Sequence, residues 1–197
     1  MAVKEKVSKE VILEAAEKIF SEYGFHEAKI YKIAELAGVS VGTIYRFFKS
    51  KEELYSEVIK KKLQELQKRV ERNTRNRNPE AALKAYISTV VDFFEEERDF
   101  FTIFMREVGS LSIIDEERFS LSQWYQNYTR KLARIVERGV KRGVFKELDP
   151  LGVILAVSGA MKNMIYANSR GFLKGSPEKI KESLYQIFLH GILKNRS

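Results

Sequence analysis

Apolar residues recur along most of the chain at intervals of three and four positions. Val11, Ala15 and Ile19 show this spacing near the N-terminus, and residues 121–135 repeat it with larger side chains. The interval matches the turn of an α-helix, so each such segment carries one apolar face. A half-buried strand would alternate polar and apolar residues, and the sequence contains neither that alternation nor an Asn-Gly hairpin turn. The pattern therefore predicts an all-α fold.

Helix starts are marked by the prolines, because each follows a residue whose side chain can cap a helix. The side-chain oxygen accepts a hydrogen bond from a free N–H of the first turn, where proline needs no N–H of its own. Ser50 and Glu53 add a capping box, in which each side chain can bond the other residue's backbone N–H. The three capped prolines stand in the pairs Asn78-Pro79, Asp149-Pro150 and Ser176-Pro177.

Helix ends are marked by glycines that can adopt a left-handed conformation. These glycines are Gly24, Gly38, Gly109, Gly143 and Gly171. Starts and ends together predict about nine helices. They are expected near residues 8–23, 30–37, 41–48, 51–73, 79–97, 99–109, 115–142, 150–170 and 177–194.

Composition fits a globular protein with a polyanionic partner. The 197 residues are 44% hydrophobic and 31% charged, enough for a packed core and a well-solvated surface. The formal net charge of +8 makes nucleic acid a plausible partner, although surfaces rich in Lys and Glu are also common in heat-adapted proteins. The most basic tract, residues 60–77, contains eight Lys or Arg and two Glu. We interpret it as a solvated helix face, with non-specific DNA contact as the alternative.

Membrane and metal chemistry are not expected. The longest apolar stretches, such as residues 151–161, stop short of the roughly 20 residues of a bilayer span, and the N-terminus has no apolar signal core. We therefore expect a cytoplasmic protein. With no cysteine and two histidines, the chain cannot form disulfides or thiolate zinc sites, and we expect neither a metal nor a cofactor. His26 and His190 are interpreted as surface or packing residues.

The segment from Ile30 to Phe48 has the features of two short helices joined by a tight turn. Ala34 is small enough for a close approach of the helices, and Gly38 can reverse the backbone between them. Ser40 is expected to cap the second helix. The predicted inward-facing residues are Ile33, Val39, Ile44 and Phe48.

The outward face of the second short helix carries small, aromatic and basic side chains. In a helix-turn-helix protein the first turn of this helix enters the major groove, where small residues permit close approach. An arginine on this face can bond two atoms of a guanine. The alternative is an ordinary helical hairpin with a glycine turn. The exposed residues are Val41, Gly42, Thr43, Tyr45, Arg46 and Phe47.

Residues 33–54 read Ile-Ala-Glu-Leu-Ala-Gly-Val-Ser-Val-Gly-Thr-Ile-Tyr-Arg-Phe-Phe-Lys-Ser-Lys-Glu-Glu-Leu. This stretch resembles the signature of the TetR (tetracycline repressor) family and departs from it at Phe47, where Tyr or His is usual. Gly24-Phe25 matches the family's Gly-Phe at the end of the first helix. The resemblance covers about residues 8–60. It implies a helix-turn-helix DNA-binding domain over 1–50 and a ligand-sensing and dimerisation domain over 51–197.

The resemblance also assigns DNA-binding roles. Thr43, Tyr45 and Lys51 would hold phosphates, whereas Val41, Gly42 and Arg46 would lie at base edges. Ala28-Lys29 replace a Thr pair that often opens the second helix in the family. That helix therefore lacks an N-cap oxygen, although Lys29 could meet a phosphate by charge. The predicted DNA-binding set is Lys29, Ser40, Val41, Gly42, Thr43, Tyr45, Arg46, Phe47 and Lys51.

Large apolar side chains are concentrated beyond residue 79. Aromatic residues at helical spacing are normally core, so each one is first a packing residue. The family resemblance implies a pocket between the middle helices, for which we predict a flat or long-chain apolar effector with Glu107 or Asn163 at its polar end. The predicted pocket residues are Phe93, Phe101, Phe104, Met105, Trp124, Tyr125, Tyr128, Met161 and Met164.

A face of small residues follows Pro150, and the last helix offers an apolar face that could match it. Small residues four apart allow two helices to approach closely. In TetR relatives two such helices from each subunit form a four-helix interface. Packing within one chain is the alternative. The predicted dimer residues are Gly152, Ala156, Ala160, Leu184, Ile187, Phe188 and Gly191.

The predicted function is sequence-specific transcriptional regulation. The protein is expected to be a homodimeric repressor that a small, largely apolar molecule releases from a palindromic DNA operator. An enzyme is not expected, because the sequence has no phosphate-binding glycine loop, nucleophile elbow or His-Glu-x-x-His motif. The alternative is an architectural or adaptor protein that binds DNA without an effector.

Overall fold

The computed structural model describes residues 8–110 and 120–193, with the backbone alone for residues 106–110. Within these residues each of the nine predicted helices is present, and the chain is all-α. The bounds are α1 Lys9–Glu27, α2 Ile30–Leu36, α3 Val41–Phe47, α4 Lys51–Thr74, α5 Pro79–Glu96, α6 Arg98–Ser110, α7 Leu121–Lys141, α8 Pro150–Ser169 and α9 Pro177–Leu184. A π-helical turn, Tyr185–Leu189, and a short α10, His190–Ile192, follow α9.

The helix starts agree with the capping residues identified in the sequence. Asn78, Asp149 and Ser176 each accept a hydrogen bond from a first-turn N–H of the helix that their proline opens. Ser50 accepts from the N–H of Glu53 at 3.2 Å. The carboxylate of Glu53 accepts from the N–H of Lys49 and not from that of Ser50. The reciprocal bond of the predicted capping box is therefore formed with the preceding residue.

Glycines end or break several helices. Gly24 has φ +73° and ψ 172°, which interrupts α1 before the helical backbone resumes as far as Glu27. Gly38, Gly143 and Gly171 also have positive φ, as predicted for residues that end a helix. Gly109 does not end a helix, because α6 continues to Ser110. The predicted start of α7 near residue 115 lies outside the described residues, and the helix is observed from Leu121.

The chain forms two compact units. Unit 1 contains residues 1–63 and 98–121, and unit 2 contains 64–97 and 122–197. α6 therefore packs with the N-terminal helices, and α4 contributes residues to both units. The division into functional domains at residue 50 stays a prediction.

Unit 1 has an aromatic core under the first helix. α1 packs against α2 and α6, and Ile12, Ala16 and Phe20 are fully buried along its inner face. The ring of Phe20 meets the buried ring of Tyr55 edge-on, with centroids 4.8 Å apart. Edge-to-face packing is a favoured aromatic geometry, so this contact fixes α1 on the start of α4.

Ion pairs join the same two helices at the surface of unit 1. Glu57 on α4 accepts from Lys9 and from Lys60, both at 3.0 Å. Lys62 pairs with Glu17 at 3.4 Å. Glu57 is partly exposed, so its pairs mainly orient the two helices and add modestly to stability.

Unit 2 is built around α5, which packs against both α8 and α9. The hydroxyl groups of Tyr86 on α5 and Ser158 on α8 lie 2.7 Å apart. Lys181 on α9 pairs with Asp92 on α5. Trp124 of α7 donates its indole N–H to Gln67 of α4 at 3.2 Å.

α8 is unusual because it is apolar but poorly buried. By length and composition alone it could cross a membrane, which corrects the expectation that no segment is long enough. The apolar character continues past Lys162 to Ser169, although that lysine interrupts the stretch seen in the sequence. Only 22% of the apolar window is buried inside the chain.

Candidate nucleic-acid interface

The turn between α2 and α3 depends on Gly38. Its φ of +65° is a left-handed conformation that side chains disfavour, and a Cβ there would meet no atom within 4 Å. Glycine is therefore needed at this position because another residue would strain the backbone, not because space is lacking. The N–H of Val39 donates to the carbonyl of Ala34 at 2.9 Å, which closes the turn. Ala34 and Ile44 are buried where the two helices pack together.

Ser40 holds the first turn of α3. Its Oγ accepts from the N–H of Thr43 at 3.1 Å and lies 2.9 Å from the Thr43 hydroxyl. The predicted cap is confirmed. One of the two hydroxyl protons is used in the bond between Ser40 and Thr43. The other proton can be donated to a partner outside the helix.

The outer face of α3 carries large side chains exposed to solvent. Val41 is 38%, Tyr45 49% and Phe47 40% exposed. Gly42 and Arg46 are exposed beside them. Ile44 and Phe48, at most 1% exposed, anchor the opposite face. A seven-residue helix with so many exposed apolar groups is suited to meeting a partner surface.

Two lysines lie near each other at the starts of α2 and α4. The Nζ of Lys51 donates to the carbonyl oxygen of His26 at 3.2 Å and lies 4.6 Å from the centroid of the Phe25 ring. Partial burial, followed by repulsion from Lys29, lowers the pKa of Lys51. The two ammonium groups are therefore close enough to create a shared positive region. Lys29 is exposed and gives α2 no side-chain cap, as predicted.

α2 adds exposed groups that the sequence analysis did not single out. Tyr31 is 59% and Leu36 48% exposed. The Nζ of Lys32 lies 4.0 Å from the centroid of the Tyr23 ring, and a side-chain hydrogen bond with Tyr23 raises the pKa of that lysine. Tyr31 could have been identified from the sequence, because it is an aromatic residue that does not share a helix face with the buried residues Ile33 and Ala34.

The predicted effector residues are divided between the two units. Phe101, Phe104 and Met105 belong to unit 1, and the remaining six belong to unit 2. Phe93 is fully buried, with the guanidinium carbon of Arg69 5.1 Å from its ring centroid. Met161 is also buried, and Met164 is half-buried. The side chain of Glu107 lies outside the described residues, and Asn163 is exposed.

Within unit 2 the structure brings together three tyrosines. Tyr125 and Tyr128 lie on α7, and both interact electrostatically with Tyr86 on α5. Burial raises the pKa of each phenol above its ordinary value of 10.0. The Oη of Tyr128 is buried and has no hydrogen-bond partner among the described residues. Tyr86 and Ser158 were not in the predicted set, because their contact joins positions 72 residues apart.

The predicted dimer residues differ in their exposure. Gly152 and Ala156 are exposed and Ala160 is half-buried on α8, while Ile187 is 62% exposed. Phe188 is half-buried and Gly191 is exposed. Leu184 is fully buried inside its own chain, so it offers no surface to a partner. The π-helical turn begins at the next residue and changes the register, so Ile187 and Gly191 do not continue the buried face of α9.

Gly152 and Gly159 have different reasons to be glycine. A Cβ on Gly152 would lie 2.8 Å from the Asp149 carboxylate, which already accepts the Gly152 N–H. The helix cap therefore accounts for that glycine. A Cβ on Gly159 would meet nothing within 4 Å. The described chain contains no contact that requires a glycine there.

Two family models match the chain. Residues 12–58 match the model described as bacterial regulatory proteins, tetR family. Residues 76–192 match the model described as tetracyclin repressor-like, C-terminal domain. Together they cover the helix-turn-helix and α5 to α10. Among the residues that the structure describes, no group of three or more His, Cys, Asp or Glu could hold a metal ion.

Curated relatives and solved structures agree with these matches. The chain is 31% identical over 153 residues to an uncharacterised HTH-type transcriptional regulator, YhgD of Bacillus subtilis, covering 72% of this chain and 74% of that protein. It is 27% identical over 137 residues to the fatty acid metabolism regulator protein of the same organism, covering 69% and 70%. The fold is similar to that of the B. subtilis regulator FadR in complex with stearoyl-CoA, with a TM-score of 0.82, 22% identity and coverage of 94% and 100%. The chain belongs to the tetR family of bacterial regulatory proteins.

Proposed function

We propose that this regulator is a cytoplasmic homodimeric repressor that binds a palindromic operator through α3 and leaves it when a small, largely apolar effector binds unit 2. The observation that carries the proposal is the outer face of α3. It combines close-approach residues, exposed aromatic rings and one arginine on a helix anchored by Ile44 and Phe48.

The proposed division of labour on α3 follows from side-chain chemistry. Arg46 can donate two parallel hydrogen bonds to guanine in the major groove, and Val41 can contact a thymine methyl group. Gly42 lets the backbone approach the base edges. Thr43 and Tyr45 offer hydroxyl groups to phosphates, and such contacts set position without reading sequence.

Lys29, which is exposed, and Lys51, which is half-buried, fit a phosphate-binding role. Repulsion between Lys29 and Lys51 contributes to the lowered pKa of Lys51, and a phosphate between them would relieve it. Lys51 must share or exchange its bond to the His26 carbonyl in order to reach DNA. Phe47 has no polar atom on its ring, so we assign it contact with sugar or methyl groups.

The proposed dimer uses the exposed side of α8 together with the end of the chain. Leu155 is 43% and Ile187 62% exposed, although both are large and apolar. Gly159 and Gly191 have open space where a side chain would be, which would let a partner helix approach. A partner covering this side would bury the apolar surface of α8. Each Å² of apolar surface removed from water would stabilise the dimer by about 25 cal/mol. Leu184 is left out of the proposed interface.

The proposed effector site lies beside the three tyrosines of unit 2. A buried hydroxyl without a partner is costly, so a ligand oxygen that accepts from Tyr128 would lower the energy of the bound state. The rings of Tyr128 and Trp124 supply apolar contact area. The name of the fatty acid metabolism regulator favours a long-chain effector over a flat one. Phe101, Phe104 and Met105 belong to unit 1 and stay predictions from the sequence alone.

α4 is the proposed transmitter between effector and DNA. The helix contributes residues to both units, so a tilt at its C-terminal end would also move its N-terminal end. An effector weakens DNA binding only if it binds better to the form that cannot hold DNA, and the coupling is reciprocal. Couplings of this kind are about 1–3 kcal/mol.

The test is calorimetry with a saturated fatty acid series, with and without operator DNA. The proposal expects chain-length-dependent binding that operator DNA weakens roughly 5- to 150-fold. Trp124→Ala should reduce the response and leave ligand-free DNA binding unchanged. The control is Gln126→Ala, an exposed position on the same helix. Equal affinity with and without operator would favour the architectural alternative.

A further inference from the structure

Five cations of unit 2 form one surface. Lys68 and Arg72 lie one helical turn apart on α4, and Arg75 directly follows that helix. Arg134 and Arg138 lie one turn apart on α7. All five side chains are exposed, and all five border the same groove between the two helices. These five residues are called the basic surface below.

The basic surface is not neutralised by the chain itself. None of its five cations forms a salt bridge with a described residue. The neighbouring carboxylates are already paired, Glu71 with Lys131 at 2.6 Å and Glu137 with Lys141 at 2.7 Å. Arg134 helps to lower the pKa of Glu137 but does not bond it. Like charges one helical turn apart repel each other, so an anion from outside the chain would stabilise this arrangement.

Cations between α4, α5 and α9 have partners within the chain. Arg69 of α4 pairs with Glu65 and Glu96, and Lys181 of α9 pairs with Asp92 of α5. Arg69 belongs to the same basic tract of the sequence as the α4 cations of the basic surface. From sequence alone that tract is interpreted as a solvated helix face. The cations of α7, which the sequence does not place beside it, change that interpretation.

The exposed groups favour a nucleic-acid backbone over a membrane or a protein as the partner of this surface. α4 and α7, which are described throughout, expose a single large apolar side chain, Tyr125. Tyr125 precedes Arg134 by about two and a half helical turns, which places it on the opposite side of α7. A membrane-binding helix inserts exposed apolar groups, and a protein interface has an apolar centre. The phosphates of duplex DNA require only cations, and an arginine can bond one phosphate through two N–H groups.

We propose that the basic surface binds the sugar-phosphate backbone of double-stranded DNA without reading its sequence. The basic surface belongs to unit 2, whereas α3 belongs to unit 1. The protein therefore contacts DNA through two separate surfaces. The α3 surface selects a site, and the basic surface adds affinity for any sequence, because phosphate contacts carry no sequence information. Binding at the basic surface does not depend on the role proposed for α3.

The test measures binding of a labelled random-sequence duplex to the full-length protein by fluorescence anisotropy, at about 50 to 200 mM salt. Every protein compared carries Arg46→Ala and Lys51→Ala, which weaken the α3 contacts equally in all of them. Adding Arg134→Gln and Arg138→Gln should reduce the slope of log affinity against log salt by about two, one for each lost phosphate contact. The loss of affinity relative to the background protein should therefore be roughly tenfold larger at the lower salt concentration than at the higher.

A second surface variant and a charge-matched control complete the comparison. Lys68→Gln combined with Arg72→Gln should have the same effect, because both helices contribute to one surface. Lys174→Gln combined with Lys179→Gln removes the same net charge at exposed positions of unit 2 that do not border the groove. The control should keep the salt slope of the background protein and an affinity within about twofold of it. Circular dichroism and thermal unfolding verify that every variant is folded.

Equal losses in the surface variants and the control would reduce the effect to net charge and overturn the proposal. A background protein that binds no random DNA would also overturn it. So would binding to phosphatidylglycerol vesicles that is lost with Arg134 and Arg138 while DNA binding is kept. With Arg46 and Lys51 intact, both surface variants should select the same DNA sequences as the unaltered protein. If the unaltered protein selected no sequence while the surface variants still lost salt-dependent binding, the role of α3 would be contradicted and the basic surface supported.

Discussion

The indole ring of Trp124 stacks on the phenol ring of Tyr128, with centroids 4.9 Å apart and an angle of 17° between the planes. The residues are four apart on α7, so their side chains leave the helix on the same face. The indole N–H donates to Gln67 of α4. The stack therefore holds α7 against α4 while leaving the Tyr128 hydroxyl without a partner among the described residues.

Tyr128→Phe is expected to stabilise the ligand-free protein. The substitution removes a buried, unpartnered hydroxyl and keeps the ring, so the free energy of unfolding should rise by about 1 kcal/mol. Tyr86→Phe is the matched control, because it breaks the bond to Ser158 and should lower the free energy of unfolding by about 1 kcal/mol. Urea denaturation followed by circular dichroism measures both. Similar losses in the two variants would mean that the Tyr128 hydroxyl has a partner.

Arg46→Ala and Lys51→Ala should affect DNA binding in different ways. Loss of Arg46 should cost about 1–3 kcal/mol on the specific site and little on random DNA. Loss of Lys51 should weaken binding to all sequences and reduce the slope of log affinity against log salt by about one. Anisotropy titrations at several salt concentrations measure both effects. Equal losses on specific and random DNA for Arg46→Ala would remove its base-reading role.

Ala156→Arg should dissociate the proposed dimer. It places a long charged side chain on the exposed face of α8, and burying that charge without a partner would cost several kcal/mol, approximately. Gln126→Arg adds the same charge on the exposed face of α7 and should leave the dimer intact. Analytical ultracentrifugation distinguishes the two states. An intact Ala156→Arg dimer would place the interface elsewhere.

Glu57 should make the N-terminal unit sensitive to acid. Burial raises the pKa of Glu57, but hydrogen bonds from Lys9 and Lys60 more than offset this, so the pKa lies below its ordinary value of 4.5. A carboxyl with a lowered folded-state pKa stabilises the fold above its unfolded-state pKa, and the stabilisation is lost as pH falls through the folded-state value. Glu57→Gln should therefore destabilise the protein at neutral pH and not at pH values well below 4.5. A pH-independent difference in thermal unfolding would contradict this.

The local features of the fold could be predicted from sequence because each depends on neighbouring residues. Each of the caps at Asn78, Asp149 and Ser176 depends only on residues within a few positions of it. The same is true of the turn at Gly38. The exposed face of α3 followed from the same short-range pattern. Hydrophobic period and capping chemistry are sufficient for such features.

Features that depend on distant contacts could not be predicted in this way. The π-helical turn after Leu184 changes which residues face outward, and no local residue marks it. The contact of Tyr86 with Ser158 joins two helices that are far apart in sequence. Lys68 and Arg72 of α4 line one groove together with Arg134 and Arg138 of α7, although the sequence analysis considered only the cations of α4. Helix pairing must be known before such residues can be grouped.

Selection of bound sequences from random duplex DNA by the full-length protein tests the central claim most directly. The account predicts an enriched palindrome whose half-sites are separated by one helical turn of DNA or a multiple of it, about 34–36 Å per turn, as two α3 helices related by a two-fold axis require. Selection with Arg46→Ala should lose information at particular positions in each half-site, with the palindrome otherwise retained. If the wild-type protein bound DNA but enriched no sequence, or enriched one that Arg46→Ala selected equally well, α3 would not be the element that reads the operator.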